Sequence, residues 1–147
     1  MANDLPVMLD PSIKARIPYG HDPTVLLYFL DRHAFPPEPD GMWISGSGRA
    51  DIIVRAVDPI ERLTITAYSP IRTTFTVSAG AAPVSVSLAP QGRATFDVDA
   101  TSVRGLNGYA ALLSAGSSDG FTPHLLDPAA SDSRNLGVMM NFRVVRR

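Results

Sequence analysis

An all-β, antiparallel sandwich of about eight strands, with one short N-terminal helix, is the fold class this sequence predicts. Three observations predict it. Near the end, Leu136, Val138, Met140, Phe142 and Val144 alternate with Gly137, Met139, Asn141 and Arg143, the period of a strand with one face in a core. From Gly41 onward the chain breaks into short apolar-alternating runs separated by Gly, Pro, Ser and Asp, at the 8–12-residue spacing of sandwiches and barrels. And helix patterns are confined to a single turn over Ser12-Ile13-Lys14-Ala15-Arg16 and the best signal, residues 23–33.

The elements follow in order. Residues 1–40 read as an extension, because Leu5-Pro6-Val7-Met8-Leu9-Asp10-Pro11 and Ile17-Pro18-Tyr19-Gly20 are turn-rich and extended. Within it, Asp22 suits a helix cap, Pro23 the first helical position, and Leu26, Phe29, Leu30 and His33 one stripe, so the expected helix covers 23–33 and packs on the sheet. Phe35-Pro36-Pro37-Glu38-Pro39-Asp40-Gly41 stops it. The sandwich is then expected over 41–147. Met42-Trp43-Ile44 opens it, with the inward side of the alternation undecided between Trp43 and its two neighbours. Residues 50–56 follow. Leu63, Ile65 and Ala67 face inward with threonines outward, then Phe75 and Val77, then Val84, Val86 and Leu88, then Ala94, Phe96 and Val98. Gly105-Leu106-Asn107-Gly108 turns the chain into Tyr109–Ser114, and a polar loop broken by Pro123 and Pro128 delivers it to the closing strand 136–145, expected to be internal in its sheet.

Composition narrows the function. At 147 residues the chain is a comfortable single domain. A net charge of −1, with scattered arginines and Lys14 as the one lysine, gives no electrostatic case for nucleic acid or an anionic membrane. The absence of cysteine removes disulfides, thiol catalysis and cysteine-based zinc sites. The start shows no basic segment followed by an apolar run, and Val25–Leu30 is too short to span a bilayer, so the expectation is a soluble chain without direct membrane insertion. Its compartment is left open: cytoplasmic for a full gene product, cell envelope for a fragment of a membrane protein.

The chemistry-bearing patterns are few. Gly116-Ser117-Ser118-Asp119-Gly120 matches the G-x-S-x-G form of a nucleophile elbow, but Phe121-Thr122-Pro123 suits a loop better than the helix such an elbow enters, and Ser118 as a hydrolase nucleophile is the lesser reading. His21, His33 and His124 lack metal-ligand spacing, no EF-hand pattern occurs, and neither metal nor cofactor is expected. Asp97 and Asp99, two apart on a strand, share a face and read as surface charge. Trp43, Tyr68, Tyr109 and Phe121 are the aromatics able to stack on a sugar ring, although core closure competes for each. Arg134, two residues from Asp132 and before Leu136, reads first as a latch holding the loop, and as a ligand contact if exposed.

The stretch from Trp43 to Val145 resembles a type of bacterial β-sandwich, broadly galactose-binding-like or jelly-roll, attached to membrane glycosyltransferases and other cell-envelope polysaccharide proteins. The residues that carry the resemblance are Met42-Trp43-Ile44, Ala50-Asp51-Ile52-Ile53-Val54-Arg55-Ala56, Gly120-Phe121-Thr122-Pro123 and Asp132-Ser133-Arg134-Asn135-Leu136-Gly137-Val138. It implies a non-catalytic accessory or carbohydrate-interaction module, jelly-roll-like, with no catalytic residue to transfer. The candidate ligand-binding set is Trp43, Tyr109, Phe121, His124, Asp127 and Arg134, with a glycan or a partner protein as the ligand. A structural or oligomerisation domain is the alternative.

Overall fold

The computed structural model describes residues 17–19 and 22–147, and the turn expected over residues 12–16 lies outside the described residues. Among these, eleven strands form two antiparallel sheets: β1 (Ile17–Tyr19), β2 (Asp22–Phe29), β3 (Met42–Ser45), β4 (Ala50–Ala56), β5 (Ile60–Ser69), β6 (Thr73–Ser78), β7 (Val84–Leu88), β8 (Gly92–Asp99), β9 (Val103–Gly105), β10 (Gly108–Ser117) and β11 (Leu136–Arg146). One turn of helix, α1 (Pro123–Leu126), lies in the loop before β11. The larger sheet runs β1-β2-β4-β10-β6-β7, with β9 also paired to β10, and the smaller runs β3-β11-β5-β8.

This order winds as a jelly roll. From β3 onward the chain passes to the opposite sheet at each connection except β6–β7 and β9–β10. The last strand, β11, inserts between β3 and β5, and β10 inserts between β4 and β6. Both late strands are therefore central, and each is apolar on its inner face. Leu136, Val138, Met140, Phe142 and Val144 are buried on β11, and Ala111, Leu113 and Ala115 on β10. All of these except Leu136 meet Leu63 and Ile65 of β5, Ile52 and Val54 of β4 and Phe75 and Val77 of β6 in one continuous core.

The helix expected over 23–33 is not there. Residues 22–29 form strand β2, which pairs with β4 through Leu26↔Arg55, Leu27↔Val54, Tyr28↔Ile53 and Phe29↔Ile52. The sandwich consequently starts before residue 41, with β1 and β2 extending the larger sheet past β4. The physical reason is double-sided burial. Val25, Leu27 and Phe29 enter the main core, while Tyr28, on the other face, joins Ile53 and Ala110 in a second apolar cluster flanked by Leu26, Leu30 and Leu106. A strand buried on both faces shows an unbroken apolar run, which periodicity alone does not separate from a helix.

Two contacts tie this added edge to β11. The Tyr19 ring stacks on Phe142 with centroids 4.4 Å apart and planes 8° from parallel. Its hydroxyl donates to the Phe142 carbonyl (2.8 Å) and accepts from the Phe142 N–H (2.9 Å). β3 pairs with β11 only as far as Met140, so the tyrosine hydroxyl supplies what a strand neighbour would supply beyond that point. Nearby, Arg146 Nη2 donates to Asp22 Oδ2 (2.8 Å) and to Thr24 Oγ1 (2.7 Å), and the Thr24 hydroxyl and N–H both donate to Asp22 Oδ1.

Burial alone would raise the Asp22 pKa, but the hydrogen bonds from Thr24 and Arg146 and the Arg146 charge outweigh it and bring it below the ordinary 3.8. A depressed carboxyl stabilises the fold above the unfolded value and loses that contribution as pH falls through the folded one. Asp22→Asn is therefore expected to lower stability by about 1 kcal/mol or less near neutral pH, given its partial exposure, and by nothing once both forms are protonated. Urea midpoints at pH 7 and below pH 3 check it: equal gaps between the two proteins at both pH values would contradict the linkage.

Candidate functional site

On the smaller sheet the register decides which side chains face out. Met42 and Ile44 are buried, which settles the alternation on β3 and turns Trp43 to the outer face. Trp43 pairs with Met139, Met139 with Tyr68, and Tyr68 with Arg93, so one row crosses all four strands as Trp43–Met139–Tyr68–Arg93. Two strand spacings separate Trp43 from Tyr68, about 10 Å between backbones. The next row is Asn141–Thr66–Thr95 and the one after it Arg143–Thr64–Asp97.

The aromatic row lines a trough of about 520 Å³ rimmed by Asp40 and floored by Met139 and Asn141. A second hollow of similar size shares Thr66 and Asn141 with it and continues toward Arg143 and Arg146. The two make one open track along the outer face. Several supports hold its aromatic end. Phe121 meets Trp43 edge-on at 5.7 Å and 74°, and is itself fixed by a pair of 2.7 Å backbone bonds to Leu136. The Phe35 N–H donates to the Trp43 carbonyl (2.9 Å). Asn141 Nδ2 donates to the Asp40 carbonyl (3.2 Å), anchoring the rim. Arg93 rests over the Tyr68 ring at 5.3 Å, a cation–π contact that orients the ring.

Of the six residues expected from sequence to bind a ligand, the fold brings two together here, Trp43 and Phe121. Arg134 lies close by but turns to its own loop. Its Nε and Nη2 donate to both Asp132 oxygens (3.0, 3.2 and 2.7 Å), its N–H donates to Asp132 Oδ1, and its guanidinium sits 4.9 Å over Phe35 and 3.8 Å from Glu38. The Asp132 carboxyl falls below its usual pKa because the Arg134 side chain and N–H bond to it. His124 and Asp127 are exposed in the α1 loop and bond within it, His124 Nδ1 with the Ala130 carbonyl (2.9 Å) and Asp127 Oδ1 with the Ala129 N–H (3.0 Å). Tyr109 lies apart, on β10 of the larger sheet, whereas the strands under the trough belong to the smaller one. There it carries Arg104 over its ring at 5.8 Å. Met139, Asn141 and Arg93 were not singled out by sequence, since only strand register places them beside the aromatics.

Arg134→Ala is expected to loosen residues 131–136 and lower stability by about 1 kcal/mol, because both partners are a third exposed and the pair is screened. Amide exchange in that loop and a thermal midpoint are the readouts. A wild-type midpoint with unchanged exchange would remove the latch role.

The Gly116–Gly120 loop does not build a nucleophile elbow. Ser118 Oγ donates to Asp119 Oδ2 (2.8 Å), accepts from the Thr74 N–H (3.0 Å) and lies 3.4 Å from Thr73 Oγ1. None of its hydrogen bonds among the described residues reaches a histidine. Phe121 first pairs with Leu136, and one turn of helix, α1, then opens at Pro123 with Thr122 before it, which corrects the expectation of a loop there but sets the helix apart from the serine turn. Among the described residues no three His, Asp or Glu side chains gather in a way that could hold a metal ion. No helix there is long and apolar enough to cross a membrane. Comparison of the chain with protein-family models, with curated proteins and with solved structures returns no match.

Proposed function

We propose that this chain is a non-catalytic carbohydrate-interaction module, an accessory β-sandwich of the kind associated with bacterial envelope glycans. The observation that carries the reading is the Trp43–Met139–Tyr68–Arg93 row in an open trough. A sugar ring offers an apolar face and a rim of hydroxyls. Aromatic residues whose backbones stand about 10 Å apart on one face match the first, and Asn141, Thr66 and Asp40 along the same track match the second. An open track rather than a closed pocket suits a chain of sugars entering from the side.

Calorimetric titration against a panel of envelope polysaccharides tests it. Trp43→Ala and Tyr68→Ala are each expected to weaken binding at least about tenfold while leaving the melting midpoint nearly unchanged, since both side chains lie outside the core. Binding that survives both substitutions would place the site elsewhere. A second reading, a structural domain meeting a partner protein, draws on the exposed Leu125 and Leu126 at the tip of α1. In that case Leu125→Ser would weaken partner capture and leave every sugar titration as it was.

A further inference from the structure

Charge along the trough is uneven. Arg62 is bonded to Glu61 (2.7 Å) and stands 3.9 Å from Asp97, Asp97 also takes the Thr64 hydroxyl (2.7 Å), and Arg146 is bonded to Asp22. Arg93 and Arg143 are different. Both are exposed on the outer face, and neither has an acidic partner among the described residues. Arg93 extends the aromatic row beyond Tyr68, and Arg143 stands one row past Asn141 along β11. Strand rise and spacing put their backbones roughly 17 Å apart, at opposite ends of the same track. Asp40 lines the aromatic end, where Asn141 engages its carbonyl, and Asp22 lines the other, where Arg146 and Thr24 bond its carboxylate.

We infer that the trough selects acidic glycans, with Trp43 and Tyr68 stacked on sugar rings and the carboxylates of uronic-acid units held by Arg93 and Arg143. This rests on the carbohydrate reading above and names its ligand class. A guanidinium is permanently charged and presents paired donors that match a carboxylate. Two such groups at the ends of a track, with uncharged Thr66, Thr95 and Asn141 between, suit a ligand whose acidic groups are spaced by neutral ring. A neutral glycan would leave both cations without an anionic counterpart. A short acidic peptide would leave the aromatic row without a flat ring face to cover.

The test is calorimetry with galacturonate and glucuronate oligomers, the same oligomers after carboxyl reduction to neutral sugars, and polyglutamate as a polyanion without sugar. The expected result is binding of at least one uronate series about tenfold tighter than its reduced form, weakening as salt is raised. Arg143→Gln and Arg93→Gln should each narrow that gap, whereas Trp43→Ala should weaken acidic and reduced oligomers alike. Equal affinity for uronate and reduced sugar would overturn this inference and leave the carbohydrate reading standing. Polyglutamate binding as tightly as uronate, and indifferent to Trp43→Ala, would overturn it in favour of charge alone. No binding by any sugar would remove both.

Discussion

Replacing Tyr19 by alanine is expected to destabilise the domain by roughly 3–5 kcal/mol, the range for deleting a buried aromatic side chain. Tyr19 is only 1% exposed and belongs to the main core, so its ring leaves a cavity against Phe142 rather than a surface dent. Tyr19→Phe separates the two parts of its role. The stack on Phe142 survives, but the Phe142 N–H and carbonyl lose the hydroxyl that bonds both of them. Each group left unmet costs about 1–3 kcal/mol, less where water reaches it. Urea denaturation of the three proteins gives the comparison, and a phenylalanine variant as stable as wild type would refute the idea that the hydroxyl stands in for a missing strand.

The same hydroxyl carries an alkaline signature. Burial raises the Tyr19 pKa above the ordinary 10.0; the hydrogen bond with Phe142 opposes that and the charge of Asp22 adds to it. The sign follows from proton counting. Above pH 10 the unfolded chain has released this proton and the folded one holds it, so the contribution is complete below that pH and is lost as pH climbs through the folded value. Tyr19→Phe should remove that part of the alkaline fall.

Most of the sandwich was legible because most of its strands are half-buried. On β5, β6, β8 and β11 the residues that alternate in the sequence are the residues that alternate between core and solvent. The central place of β11 was legible too, from nine residues of unbroken period. β2 was not, because both of its faces are covered and its pattern lost the period that identifies a strand. Asp22 and Pro23 added to the error by imitating a helix start. In the fold, Asp22 uses its carboxylate to hold Thr24 and Arg146 instead.

The candidate site was legible only in part, for a related reason. Trp43 and Tyr68 stand out as large aromatics near strand ends, but that they share a face depends on β11 lying between them, which is a matter of strand order and not of local pattern. Phe121 joins them through a bridge to Leu136, fifteen residues on. Arg134 showed its pairing with Asp132 in the sequence because the two are neighbours in the chain. Arg93 and Arg143 showed nothing. An arginine without an acidic partner is recognisable only when every surrounding acid has been placed.

The substitution that best separates strand from helix over residues 22–29 is a pair, Leu27→Ala against Leu26→Ala. As a strand, Leu27 points into the main core at 0% exposure, between Val25 and Phe29 on the same face, while Leu26 lies only partly buried beside the smaller Tyr28 cluster. Removing a fully buried leucine side chain costs about 2–5 kcal/mol through lost transfer energy and the cavity left behind. Truncating Leu26 is expected to cost about 1 kcal/mol, since part of its surface is already in water. A helical stripe through Leu26, Phe29 and Leu30 orders the two the other way, with Leu26 inside and Leu27 at its margin. Equilibrium unfolding of both variants decides between them. Leu26→Ala the more damaging would mean that β2 is not the strand against which β4 closes, and that the larger sheet ends at β4, two strands sooner.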